Sequence, residues 1–181
     1  MENLTIDLNK ITSLAIAGNS GSGKSYALTY MLCVLKRSSQ LVIVDPKFDV
    51  PSRWGREKNV PVVAPNASRS KSDFVSEVNS ELSTALELIQ QRQQVLYNNP
   101  TADFEHYTVV IDEVLALSDG VSKPIKDAFF SLLSQIALLG RASKVHLLLV
   151  SQRFDNNAIP ISVREQLNVL IQVGNINSKT T

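Results

Sequence analysis

The segment GNSGSGKS, residues 18–25, constrains the fold more than any other part of the chain. It follows a short apolar run, SLAIAG (13–18), and leads directly into a mostly apolar stretch, YALTYMLCVL (26–35). Every fixed position of G-x-x-x-x-G-K-[ST] is met, with a strand before the loop and a helix after it. Glycines let such a loop curl so that successive backbone N–H groups point at one anion, and the following helix adds its positive dipole end. Gly18, Asn19, Ser20, Gly21, Ser22, Gly23, Lys24 and Ser25 are therefore the expected phosphate cradle. Lys24 is expected to reach the β- and γ-phosphates of a nucleoside triphosphate, and the Ser25 hydroxyl to ligate Mg²⁺. The alternative is a glycine-rich turn that binds nothing.

A strand, a phosphate loop and a helix need a parallel sheet to sit in, and the rest of the chain supplies one. QLVIVD (40–45), VPVVA (60–64), YTVVID (107–112), VHLLLVS (145–151) and NVLIQV (168–173) are continuously apolar, as for strands covered on both faces. Helical patterns lie between them. One follows Gly23. A second runs over 72–97, stepping Phe74, Val78, Leu82, Ala85 and Ile89 onto one face. A third runs over 122–139, with Ser122 as its cap, Pro124 in its first turn, Ile125, Phe129, Leu132 and Ile136 buried, and Gly140 as its stop. The fold expected is α/β, a RecA-like, doubly wound, mostly parallel sheet with helices on both faces, in one domain over 1–181. The segments 45–61 and 97–106, rich in proline and charge, read as surface loops. Cys33 is expected in the core of the helix after the loop. Trp54 is read as folding back onto the protein rather than stacking on a partner. His106 and His146 are far apart in sequence and without metal-ligand neighbours, so packing or solvent exposure accounts for them.

Two further strand ends carry candidate chemistry. In HYTVVIDEVLAL (106–117), an apolar strand ends in Asp112-Glu113. That arrangement puts Asp112 near the metal through water and Glu113 beside the γ-phosphate, as the base that orients or deprotonates the attacking water. The alternative is an acidic pair that caps a helix. VHLLLVSQR ends in Ser151-Gln152, where a polar side chain either feels the γ-phosphate or simply leaves the core.

Several classes are set aside by absences. No N-K-x-D segment reads guanine, no Leu-Ser-Gly-Gly-Gln segment occurs, the acidic pair continues as Val114-Leu115, and no arginine-rich lid is present. LAIAGNSGSGKS (14–25), VIVDPK (42–47), ALELIQQRQQVL (85–96), YTVVIDEVLAL (107–117) and GRASKVHLLLVSQRFDNNAIP (140–160) together resemble the motor domain of the FtsK/HerA superfamily, ring-forming pumps of double-stranded DNA. The resemblance implies an ATP hydrolase using ATP and Mg²⁺, working as a homo-oligomeric, hexameric ring on duplex DNA. It implies that Arg141 projects into the neighbouring subunit's site and that Gln152 is the sensor. Read from the residues alone, Arg141 is an arginine meeting a helix C-terminus. Arg153, Arg164 and Lys179 fall where the family's pore loops touch DNA phosphates, or are merely solvated. Asp45-Pro46-Lys47 shapes the nucleotide end of the sheet or only ends a strand. Alternatives of other kinds are a related ATPase that drives protein secretion, and a slowly hydrolysing nucleotide-dependent assembly module.

Composition narrows the partners. Lys plus Arg number 18 and Asp plus Glu 17, so the net charge is +1 and any DNA contact must come from a local patch. One cysteine excludes an internal disulfide and fits a reducing cytoplasm. No apolar run approaches the ~18 residues of a membrane span. The family's motor continues past its last strand, and its anchor and winged helix have no counterpart here, so the chain is expected to be a piece of a longer protein or a minimal relative. No proline follows Gln152-Arg153, which leans towards relatives on conjugative or other mobile elements.

Overall fold

The central apolar runs become strands because helices cover them on both sides, whereas NVLIQV, expected to be covered alike, lies at the sheet edge and alternates half-buried and exposed residues, Leu170 among the exposed. In the computed structural model, which describes residues 5–154 and 159–174, the runs form one sheet. Among the described residues its six strands are β1 (Ser13–Ala17), β2 (Ser39–Val44), β3 (Val62–Val63), β4 (His106–Ile111), β5 (Val145–Ser151) and β6 (Leu167–Gln172). The order is β3-β2-β4-β5-β1-β6, and every pairing is parallel. The helices are α1 (Lys24–Leu35), α2 (Val50–Glu57), α3 (Lys71–Asn98), α4 (Val114–Ser118), α5 (Lys123–Leu139) and α6 (Ile161–Arg164).

Side chains alternate across the pleat between two cores. Val109, Ile111, Leu147 and Leu149 face α3 and α5, against Phe74, Val78, Leu82, Ile89, Phe129 and Ile136. Val110, Leu148, Val150, Leu14 and Ile16 face the other way, onto Leu28, Leu32 and Leu35 of α1 and Trp54 of α2. A strand with two apolar faces has no polar alternation to show, which is why these runs read as unbroken. The expected stripe on α3 is buried throughout. Of the four residues expected inside on α5, Phe129 and Ile136 are fully buried and Ile125 and Leu132 pack at the edge.

Local details differ from expectation for physical reasons. The α3 helix starts earlier because Ser70 forms a capping box with Asp73, each side chain accepting from the other's backbone N–H. Ser122 holds the N-cap position of α5, but its side chain makes no capping bond. Gly140 ends α5 without a left-handed turn. A Cβ there would sit 2.2 Å from the Val145 carbonyl oxygen, so the close approach of β5 is what requires glycine. Cys33 is exposed, not core. Because α1 docks through Leu28, Leu32 and Leu35, Cys33 is turned outward with Tyr30 and Val34.

The segment 45–61 is not a loop throughout, for α2 forms within it. Its anchor is Asp45, fully buried at the end of β2. The Asp45 carboxylate accepts from the amides of Lys47, Asp49 and Ser52 and from the Ser52 hydroxyl, at 2.6–3.1 Å. Pro51 starts the helix and Trp54 seals it onto the second core. Asp45→Ala leaves those buried donors without an acceptor. It is expected to cost about 3 kcal/mol, read as a lower urea midpoint at unchanged slope. His106 and His146 meet across β4 and β5, Nδ1 to Nε2 at 2.7 Å. Burial first, and then His106, pushes His146 down to about 4, so this is a neutral, packed pair.

Candidate nucleotide site

The carboxyl ends of the parallel strands converge on one edge of the sheet, the general place for a ligand in such folds. β5 lies between β1 and β4, so the chain leaving β5 emerges between the loop after β1 and the acidic pair after β4. Gly18 N donates to Ser151 O, which ties the loop to that strand end.

Gly21 and Gly23 have φ of 77° and 93°, values an L side chain resists, and Gly23 is the N-cap of α1. This left-handed turn aims the loop backbone into a cradle. No acceptor among the described residues takes the amides of Ser20, Gly21 and Gly23. Lys24 folds back across the loop and donates its ammonium to the carbonyl oxygens of Gly18 and Asn19, the latter at 3.0 Å. Ser25 stands in the first turn of α1, beside the cradle.

Opposite the loop stands the acidic pair. Asp112 N donates to Val44 O, which fixes the end of β4 against β2. Burial, with the charges of Asp45 and Glu113 and against that of Lys47, pushes the Asp112 carboxyl up to about 6. Glu113 is 6% exposed and has φ 50°, a conformation uncommon for a non-glycine residue and found most often where function requires it. It occupies the N-cap position of α4 but makes no capping bond. Instead its Oε2 accepts from Lys47 Nζ at 3.0 Å. Burial opposes the Lys47 charge, but the Glu113 bond and the charges of Glu113, Asp112 and Asp45 outweigh it and hold the ammonium above its ordinary range.

One cleft of about 570 Å³ joins these groups. Asn19, Ser20, Gly21, Gly23, Lys24 and Ser25 line it together with Asp112, Glu113 and Lys47, and Tyr26, Thr29 and Pro51 also border it. The donors suit the groups implied. Unbonded loop amides and an ammonium fit phosphate oxygens, and a hydroxyl facing a carboxylate offers the hard oxygen ligands Mg²⁺ prefers. Raised by burial and then by the charges of Asp45 and Glu113, Asp112 binds a proton more tightly folded than unfolded. Its stabilising contribution is complete below about pH 4 and is lost as pH rises through about 6. In metal-free protein, Asp112→Asn is therefore expected to be more stable than wild type at pH 8 by about 2–3 kcal/mol and equal to it at pH 3, in paired urea titrations.

The other expected residues fall elsewhere. Gln152 is exposed where the chain leaves β5, beside the start of the loop but outside the cleft lining. Arg153 is exposed next to it. Arg164 ends α6 and donates Nε to Ile159 O at 3.2 Å. Lys179 lies outside the described residues. Arg141 is exposed in the turn before β5, at the far end of the sheet from the cleft. The seven residues of β5 separate it from that edge, roughly 20 Å of strand. Lys47 is the residue sequence reasoning missed as a site group. The signal was a lysine two residues past a buried aspartate at a strand end. Reading it required knowing that β2 neighbours β4.

No protein-family model matches the chain. It is 31% identical over 160 residues to the DNA translocase FtsK of Helicobacter pylori strain J99, a match covering 81% of this chain and 18% of the relative. The Campylobacter jejuni strain 81-176 FtsK is 29% identical over 174 residues, covering 81% and 16%. The chain thus spans about a fifth of the length of these relatives. Among solved structures, the pCW3 conjugation coupling protein TcpA, in a monomer form with ATPγS, superposes with TM-score 0.68 at 26% identity, over 94% of this chain and 51% of that one. The cytoplasmic domain of the Thermomonospora curvata type VII secretion ATPase EccC shares the fold, with TM-score 0.65 at 23% identity over 88% of this chain and 20% of that one.

Proposed function

We propose, from the premise that this chain is a homologue of the DNA translocase FtsK with the fold of a P-loop ATPase, that it hydrolyses ATP as the motor of a ring acting on double-stranded DNA. The observation that carries the reading is the single cleft in which Lys24 and Ser25 face Asp112 and Glu113.

The loop amides and Lys24 hold the phosphates. Ser25 and Asp112 would hold Mg²⁺, which when bound would supply positive charge to the phosphate oxygens. Glu113 orients a water in line with the γ-phosphate and takes its proton at the carboxylate. Its buried position and fixed backbone supply the orientation. Gln152, at the rim between loop and acidic pair, senses the γ-phosphate.

Arg141 has no reach to its own cleft. In a head-to-tail assembly of identical subunits, a residue on one end of the fold meets a site on the other end of its neighbour. Arg141 then supplies charge to the neighbour's γ-phosphate, and hydrolysis depends on a homo-oligomer, read here as a hexamer. Arg153, Arg164 and Lys179 are the proposed contacts to DNA phosphates. No helix of the described residues is long and apolar enough to cross a membrane, and we place this domain in the cytoplasm, where ATP is.

The test is steady-state ATP turnover with and without linear duplex DNA, at several salt concentrations. Stimulation by DNA that weakens as salt rises supports the motor. Stimulation by an unfolded polypeptide and not by DNA would make the cargo a protein; a type VII secretion ATPase has the same fold. Nucleotide binding without turnover under any condition would make it an assembly module.

A further inference from the structure

We propose that Lys47 is a second lysine of the phosphate site, paired with Glu113 in this structure and transferring to the terminal phosphate when a nucleoside triphosphate binds. This rests on the reading of the cleft as an ATP site. The two partners of the ion pair are unequal. The Glu113 side chain is 8% exposed and that of Lys47 52% exposed. Glu113 is confined by a left-handed backbone at the start of α4, so it cannot leave without disturbing that turn. Lys47 has a fixed root and a free stem. Its amide donates to Asp45 Oδ1 at 3.0 Å, which holds the backbone in place while the four-carbon side chain enters the cleft from the solvent side.

The resting contact competes with the role of Glu113. The ammonium at 3.0 Å takes one of the acceptor positions of Oε2, leaving one fewer for the attacking water. An anion in the same cleft would draw the ammonium away. Of the anions the site would admit, only the γ-phosphate arrives with the substrate and departs with the reaction.

The charges balance in both arrangements. Lys47 is acted on by the charges of Glu113, Asp112 and Asp45, and in this structure it offsets this acidic group. A divalent cation on Ser25 and Asp112 would take over that task, leaving the lysine charge for the phosphate. Lys47 is thus a positioning residue for Glu113 in one state and a phosphate ligand in the other. It distinguishes triphosphate from diphosphate through the pair it leaves. An ion pair that merely steadies the start of α4 would have no such preference.

The experiment is calorimetric binding of ADP and of ATPγS, each with Mg²⁺, to wild type, Lys47→Met, Lys47→Arg, Glu113→Gln and the double variant Lys47→Met with Glu113→Gln. Lys47→Met is expected to lose about tenfold in ATPγS affinity and to keep its ADP affinity, the loss of one charge-assisted hydrogen bond to the γ-phosphate. The unchanged ADP value also certifies the fold. Lys47→Arg is expected to restore most of the loss. Glu113→Gln frees the lysine beforehand and tightens ATPγS, and this gain shrinks in the Lys47→Met background because the two residues are coupled. Equal losses for both nucleotides, or none for either, would overturn the transfer and leave the ATP site standing. Wild-type protein that binds neither nucleotide would overturn both.

Discussion

Arg141→Ala is expected to lower ATP turnover by about a thousandfold while leaving ATP affinity close to wild type. The reason is geometric. Arg141 is exposed, precedes β5, and stands about 20 Å of strand away from the cleft that holds its own subunit's Lys24 and Glu113. It cannot contribute to binding in cis, so removing it spares affinity. In the proposed ring its guanidinium would act on charge that develops on the neighbour's γ-phosphate, so removing it is expected to cost rate. Arg141→Lys is expected to recover little, since an ammonium lacks the planar fork that spans two phosphate oxygens. The paired readout is ATPγS affinity against turnover at a protein concentration where assembly is complete. An arginine that only meets the dipole of α5 would show a small change in stability and none in rate.

Glu113→Gln is expected to lower turnover by about a hundredfold to a thousandfold. Glutamine is nearly isosteric and keeps the left-handed turn at the start of α4, but it accepts no proton from water. Nucleotide affinity is not lost, triphosphate binding tightens, and the variant is expected to hold ATP without consuming it. Single-turnover hydrolysis of prebound ATP checks this, because a defect in product release would leave the first turnover fast.

The parts of this account legible in the sequence are those whose cause is local or periodic. The GNSGSGKS loop announces itself because its glycines, lysine and serine are each required at fixed spacing. The α3 stripe of Phe74, Val78, Leu82, Ala85 and Ile89 was legible because one helical face repeats. Asp112 and Glu113 were legible because they end an apolar strand. What escaped depends on partners distant in the chain. The helix α2 looked like a loop because Val50, Pro51, Ser52 and Gly55 have little helical preference, and its support comes from Asp45 and from Trp54 entering the second core. Cys33 was misplaced because α1 is apolar nearly all round, so its sequence does not say which side docks. Lys47 reads from sequence as shaping the nucleotide end of the sheet or as ending a strand, and not as a partner of Glu113, which is 66 residues away on a different strand end. His106 and His146 are neighbours only because β4 pairs with β5.

The central claim is that each ATP site is completed by the next subunit, and mixing two inactive variants tests it most directly. Glu113→Gln protein carries an intact Arg141, and Arg141→Ala protein carries an intact Glu113. Mixed in equal amounts and allowed to reassemble, roughly a quarter of the interfaces join an intact Glu113 to a neighbour's intact Arg141 in a head-to-tail ring. Turnover in the mixture is therefore expected to rise to about a quarter of wild type, far above either variant alone. A mixture no more active than the mean of its components, at concentrations where the subunits demonstrably associate, would contradict the account.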